Sequence, residues 1–252
     1  MTPDLVQIGV LLAAGIGAGI VGYGAGLASL VSFPTLLALG LPPLAANVTN
    51  SVALTGVTVG VVASARSELR GMRGRVLKFG GIGLVGGALG AVLLLNLPPG
   101  VFERVVPALI ALGSVAVLIR PLLRRLHAGR IGEHHPGVTV VIGVITVYCG
   151  YFGAGAGVLL LASFGSVMAD SFARLSALRS TVLGTANTTA AIIFALTGSV
   201  NWPMVVPLAI GSIIGGVLGP PLLRRLPETP VRITVAVLGF GLAVKLFLDY
   251  AR

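Results

Sequence analysis

Gly22-Tyr23-Gly24-Ala25-Gly26 and Gly153-Ala154-Gly155-Ala156-Gly157 both read G-x-G-A-G, and each lies inside a long apolar run without a nearby charge. Ser32-Phe33 follows the first and Ser163-Phe164 the second, at the same offset of 131 residues, about half of the 252. Self-similarity at a fixed offset marks a duplicated chain. A glycine cluster inside an apolar run marks a helix interrupted within the membrane. Two such clusters, one per half, predict two breaks that meet near the bilayer centre.

Composition sets the class. The chain is 56% hydrophobic and 10% charged, with 37 glycines. Soluble domains carry about 25% charged residues. So much apolar surface cannot be hidden in one water-soluble core, and an all-α, polytopic integral membrane protein follows. Glycine is frequent in membrane helices, where it lets backbones approach. The net charge of +10 is not a nucleic-acid signal, because the basic residues cluster in short loops between spans. One cysteine, Cys149, excludes an internal disulfide and a cysteine-based metal cage. The N-terminus carries Asp4 and no basic region of a signal peptide, so the first apolar run is expected to be retained.

Residues 5–41 are too long for one upright span of about 20 residues. The glycines divide the run into two helical pieces, as a re-entrant hairpin or two kinked helices. Spans follow at 44–65, 79–95 and 101–119. The second half repeats the plan, with a broken run at 137–168 and spans at 172–197, 203–222 and 231–248. The repeats are therefore 1–119 and 137–252, joined by a basic linker, 120–136. Gly83-x-x-x-Gly87, Gly86-x-x-x-Gly90, Gly211-x-x-x-Gly215 and Gly215-x-x-x-Gly219 place smooth faces on two of the spans.

Charge gives orientation. The loop 66–78 holds Arg66, Arg70, Arg73, Arg75 and Lys78 against Glu68, and the linker holds Arg120, Arg124, Arg125 and Arg130 against Glu133. Both are expected on the cytoplasmic side. The connections 96–100 and 198–202 are uncharged, and Arg224-Arg225 makes the last loop basic. Corresponding loops of the two halves thus alternate oppositely, which predicts inverted repeats with both termini outside. Inverted repeats with broken helices are a transporter plan, with the site at the midplane between them.

A glycine break leaves backbone N–H groups of the following half-helix unpaired, and in lipid these must face protein, water or ligand. Helices beginning near Ala25 and Ala156 would aim their positive ends at the midplane and hold an anion. The alternative is that the glycines only permit close packing; the doubling of the motif favours the functional reading. Asn47, Thr49, Asn50 and Ser51 open the span after the first break. Ser180 and Thr181 stand at the matching place in the second half, beside Arg179, with Asn187 about two turns on. A single Ser or Thr in a span usually glues helices, whereas an amide needs several partners. Arg179 is the one formal charge well inside a predicted span, either a site residue or a snorkelling side chain.

The seven acids all fall in loops or at span ends. A cation transporter or proton pump usually keeps a buried carboxylate, so an anionic or neutral substrate is expected. His127, His134 and His135 belong to a basic, solvated loop. No metal site, cofactor motif or nucleophile–base pair is present, so the chain is not expected to be an enzyme.

Gly19 to Gly26, Phe33-Pro34, Leu39-Gly40-Leu41-Pro42 and Ala45 to Ser51 resemble the first signature of the sulfite exporter TauE/SafE family, also called the 4-toluene sulfonate uptake permease family. Gly150 to Gly157 and Arg174 through Asn187 to Trp202 resemble its second. The resemblance implies a bacterial inner-membrane, multi-pass secondary transporter of sulfite, a sulfonate or a related small anion, with Ala46 to Ser51 and Asn187 at the substrate. Many members carry a Lys near the position of Ser180, where this chain has Arg179. The candidate binding set is therefore Gly22, Gly24, Ala25, Gly26, Asn47, Thr49, Asn50, Ser51, Gly153, Gly155, Ala156, Gly157, Arg179, Ser180, Thr181 and Asn187. Partners are the lipid bilayer and the small anion, with no nucleic acid; the small-residue faces permit a homodimer. A passive anion channel and a membrane assembly protein remain as alternatives.

Overall fold

The computed structural model describes residues 2–64, 67–98, 100–123, 132–133, 135–197, 200–223 and 228–250. Arg66, Arg124, Arg125, His127, Arg130, His134, Arg224 and Arg225 lie outside the described residues, as does most of the linker. The described residues form ten helices: α1 (Leu5–Ala25), α2 (Ala28–Ala38), α3 (Pro43–Ser64), α4 (Arg73–Leu95), α5 (Val101–Leu123), α6 (Pro136–Tyr151), α7 (Ala156–Val167), α8 (Phe172–Thr197), α9 (Trp202–Leu223) and α10 (Glu228–Tyr250). Among them α1, α4, α8 and α9 each contain a stretch long and apolar enough to cross a membrane. The chain is an all-helical, polytopic membrane protein.

Local chemistry sets several helix ends. Asp4 caps α1 in a reciprocal box: its carboxylate accepts from the Gln7 N–H at 2.7 Å, and the Gln7 side chain accepts from the Asp4 N–H at 3.1 Å. Pro136 opens α6, where its missing N–H costs nothing. His135, expected only as a loop residue, caps that helix by accepting from the Gly137 N–H at 3.1 Å. The loop 66–78 is shorter than its charges suggested. Arg73, Arg75 and Lys78 belong to the first two turns of α4, since Gly71, at φ +80°, turns the chain and buried Met72 anchors the helix start.

The first glycine break is displaced from its expected place. Gly22 and Gly24 are helical, and α1 runs on through Ala25. The turn falls at Gly26, whose φ of +72° is the left-handed conformation that glycine alone adopts readily. Its N–H donates to the Gly22 carbonyl at 3.0 Å and closes the helix. The following helix therefore starts at Ala28 and not near Ala25. In the second motif Gly153 and Gly155 carry the positive φ values, and α7 starts at Ala156 as expected.

Cross-contacts fix the relation between the halves. Arg174, at the start of α8, donates to the Arg70 carbonyl beyond the end of α3 at 3.3 Å. At the other end, the Asn201 N–H after α8 donates to Thr49, early in α3, at 3.1 Å. The corresponding helices α3 and α8 are thus antiparallel, and the repeats are inverted. Packing obeys the same symmetry: α1 packs on α9 as α6 packs on α4, and α3 packs on α9 as α8 packs on α4. The smooth faces serve these contacts. A methyl group at Gly86 or Gly90 of α4 would strike Thr146 or the Val147 carbonyl of α6, and one at Gly215 of α9 would strike the Ile16 carbonyl of α1.

Both broken segments are hairpins. α6 begins beside Glu133, which pairs with Arg75, and α7 ends just before Asp170, which pairs with the same arginine. The α6–α7 hairpin therefore enters and leaves at this charged end of the bundle. α1 runs parallel to α9 from the opposite, neutral end, and α2 returns there to start α3 near Thr49 and Asn201. The two hairpins enter from opposite ends, and their tips touch inside the bundle.

Candidate functional site

The tips meet through Gly26 and Gly157, which are equivalent positions of the two repeats at the offset of 131 residues. A Cβ added to Gly157 would lie 2.5 Å from the Gly26 Cα, and one added to Gly26 would lie 2.6 Å from the Gly157 Cα. Equivalent atoms can touch only on the symmetry axis, so the contact marks the centre of the fold.

Beside this contact is a cavity of about 90 Å³. A water occupies about 30 Å³ in the liquid, so the space accepts a few waters or one small ion. Gly22, Gly26, Gly153, Gly157, Arg179, Ser180 and Asn187 line it, as do Ser29, Thr58, Phe152 and Cys149. The first turns of α2 and α7 both face the cavity, through Ala28 and Ser29 and through Gly157. Neither helix start receives a side-chain cap. The Ala156 and Val158 N–H groups donate to the Gly153 and Gly155 carbonyls and that of Leu30 to the Leu27 carbonyl, while both starts present the positive end of the helix dipole.

Arg179 is fully buried, which excludes the snorkelling reading. It donates to the Gly22 carbonyl at 3.2 Å and to the Ser180 hydroxyl at 3.4 Å. The carbonyl belongs to the last turns of α1, whose negative dipole end favours a cation. Asn47 plays the mirrored part. It is fully buried on α3, and its amide donates to the Tyr151 carbonyl at the end of α6 at 2.9 Å. Each repeat thus sends one polar side chain to the C-terminal end of the other repeat's first hairpin helix.

Several predicted site residues are apart from the cavity and have structural partners. Asn47 holds α6, Thr49 accepts from Asn201, and Asn50 accepts a short hydrogen bond from Ser32 of α2. Thr181 donates back to the Ala177 carbonyl at 2.9 Å. Ser51 contributes its carbonyl, which accepts from the Asn187 amide at 2.8 Å and ties α3 to α8. Gly155 packs against Gly113 of α5, and Ala156 is buried in an apolar cluster that also holds Met72 and Phe79 of the first repeat. The side-chain surroundings of Gly24 and Ala25 lie outside the described residues. Of the lining residues not singled out in the sequence, Ser29 and Thr58 left a faint signal. Ser29 falls in the first turn after the break, and Thr58 is two turns beyond Ser51 on the same face of α3. Phe152 left none, because its place depends on Phe33 and Phe102, whose rings stand 5.2 and 6.0 Å from its own.

A sequence model described as "Sulfite exporter TauE/SafE" matches residues 8–246, nearly the whole chain. The chain belongs to the sulfite exporter TauE/SafE family. Two similar proteins are named as membrane transporters. A "Probable membrane transporter protein" of Haemophilus influenzae is 24% identical over 248 residues, covering 96% of this chain and 95% of that protein. The "Probable membrane transporter protein YfcA" of Escherichia coli K12 is 24% identical over 243 residues, covering 96% and 90%. Family membership identifies a membrane transporter and not an enzyme, and makes a small-molecule substrate and a bilayer its natural partners.

Proposed function

We propose that the chain is a secondary carrier for a small anion, most simply sulfite or an organosulfonate, in a bacterial inner membrane. The observation that supports this best is the convergence on one cavity of the buried Arg179 guanidinium and the uncapped starts of α2 and α7. A sulfonate or sulfite group offers several oxygens to such donors, and charge-assisted hydrogen bonds are about twice as strong as neutral ones. Ser29, Thr58, Ser180 and Asn187 would complete the shell. Asp4 caps α1, Glu103 opens α5, Glu133 and Asp170 belong to the charged end, and none of these four acids lines the cavity.

Alternating access follows from the two hairpins. Each tip carries a glycine turn, and the tips touch through the backbone of Gly26 and Gly157, so one repeat can rock against the other about the anion. Export suits the charge, since each elementary charge moved outward gains about 2.3 kcal/mol per 100 mV of inside-negative potential.

The test is thermal unfolding of the purified protein with sulfite, sulfate, thiosulfate, sulfoacetate, taurine, acetate and chloride at matched ionic strength. A ligand of the folded state stabilises by about 2.7 kcal/mol at 100 times its Kd. A rise in melting temperature with a sulfur oxyanion or sulfonate, lost in Arg179→Gln, is the expected result. A flat response to every anion in a protein that still transports would refute the site.

A further inference from the structure

We infer that the flank formed by α4 and α6 holds one anionic phospholipid, with an acyl chain between the helices and the headgroup at Lys78. Two adjoining hollows carry the inference. The first is an apolar groove of about 710 Å³, walled by Gly81, Val85 and Leu89 of α4 and by Val140, Gly143 and Val144 of α6. Val85 and Val140 are each more than half exposed, so this wall faces the hydrocarbon of the bilayer. Methyl groups added at Gly81 would meet nothing within 4 Å, and one at Gly143 only the tip of Ile82 at 3.9 Å; the glycines hollow the surface. From Gly81 to Leu89 the groove rises about 12 Å along the helix, near the depth of one leaflet of a core about 30 Å thick.

The second hollow, of about 490 Å³, lies at the charged end and is walled by Gly71, Gly74, Arg75, Phe79 and Glu133. Lys78 lines both. Its ammonium donates to the Glu133 carbonyl at 3.3 Å, standing where the apolar groove opens into the polar one. Arg73, five residues before Lys78 in α4, is exposed. An amphiphile with an apolar chain and a negative head fits this order of surfaces. The related position on the opposite flank is Ala209, so the second repeat lacks the charge and the site is single.

The experiment is native mass spectrometry of the full chain, released from vesicles of equal parts phosphatidylglycerol and phosphatidylcholine. The expected result is one retained lipid per chain, enriched in phosphatidylglycerol. A Lys or Arg at the membrane surface contributes about fivefold preference for an anionic lipid, so Lys78→Gln should lower the enrichment by about that factor. Gly143→Phe should fill the groove and remove the retained lipid of either type, while the chain keeps its elution volume and helical circular dichroism. Retention without headgroup preference, enrichment unchanged in Lys78→Gln, or release of the lipid by millimolar inorganic phosphate alone would overturn the inference. So would a lipid-free dimer, in which a second copy covers the flank.

Discussion

Gly157→Ala tests the contact between the hairpin tips with a single methyl group. Gly157 belongs to the first turn of α7 and has ordinary helical φ, so alanine brings no backbone strain. In a helix the change stabilises by about 0.5–1 kcal/mol in the absence of new contacts. Here the methyl carbon would lie 2.5 Å from the Gly26 Cα and 2.9 Å from its carbonyl oxygen, both rigid backbone. The tips must separate, and overpacking of this kind costs about 1–3 kcal/mol. Gly165→Ala is the control, because it belongs to the same helix and its added methyl meets nothing within 4 Å. Gly165→Ala should raise the unfolding midpoint, and Gly157→Ala should fall below it by about 1–3 kcal/mol. For a chain of this size that is roughly 2–4 °C per kcal/mol. Flux in proteoliposomes should be near normal in Gly165→Ala and severely reduced in Gly157→Ala, since the separated tips also line the cavity. Equal midpoints and equal flux in the two variants would refute the touching tips and the carrier built on them.

Three further outcomes are expected. Asn47→Ala should destabilise by about 1–3 kcal/mol, because it removes a fully buried amide and strands the part-buried Tyr151 carbonyl at the end of α6; thermal unfolding without ligand measures it. Asp170→Asn removes ion pairs to Arg75 and Arg174 that are part-exposed, and should cost no more than about 1 kcal/mol, a difference that shrinks in high salt. In a Cys149→Ser background, Ser67→Cys and Gly132→Cys should react with a membrane-impermeant maleimide from one side, and Asn96→Cys from the other. Labelling of all three from the same side would break the inverted arrangement.

Much of the fold was legible in the amino-acid order. The six spans outside the broken runs came from apolar length, which the bilayer thickness demands whatever the neighbours. Inversion came from loop charge, and the antiparallel α3 and α8 agree with it. The small-residue spacings pointed to faces that α1 and α6 do occupy. These are local or one-dimensional properties, set by hydropathy, charge and backbone freedom along the chain itself.

The placing of the break and the membership of the cavity depended on packing. Gly22, Gly24 and Gly26 are alike as a sequence pattern, but Gly26 is the one that turns, and it meets Gly157 across the centre. The polar cluster Asn47 to Ser51 read as a binding surface; in the fold Asn47, Thr49 and Asn50 bond to Tyr151, Asn201 and Ser32, which come from other segments of the chain. Arg179 could face the surface or the interior by its position in α8; the carbonyl of Gly22, 157 residues away in the chain, decided it. A polar group in a membrane is satisfied by whichever partner the tertiary fold brings near, and that partner is not written at any fixed spacing in the sequence.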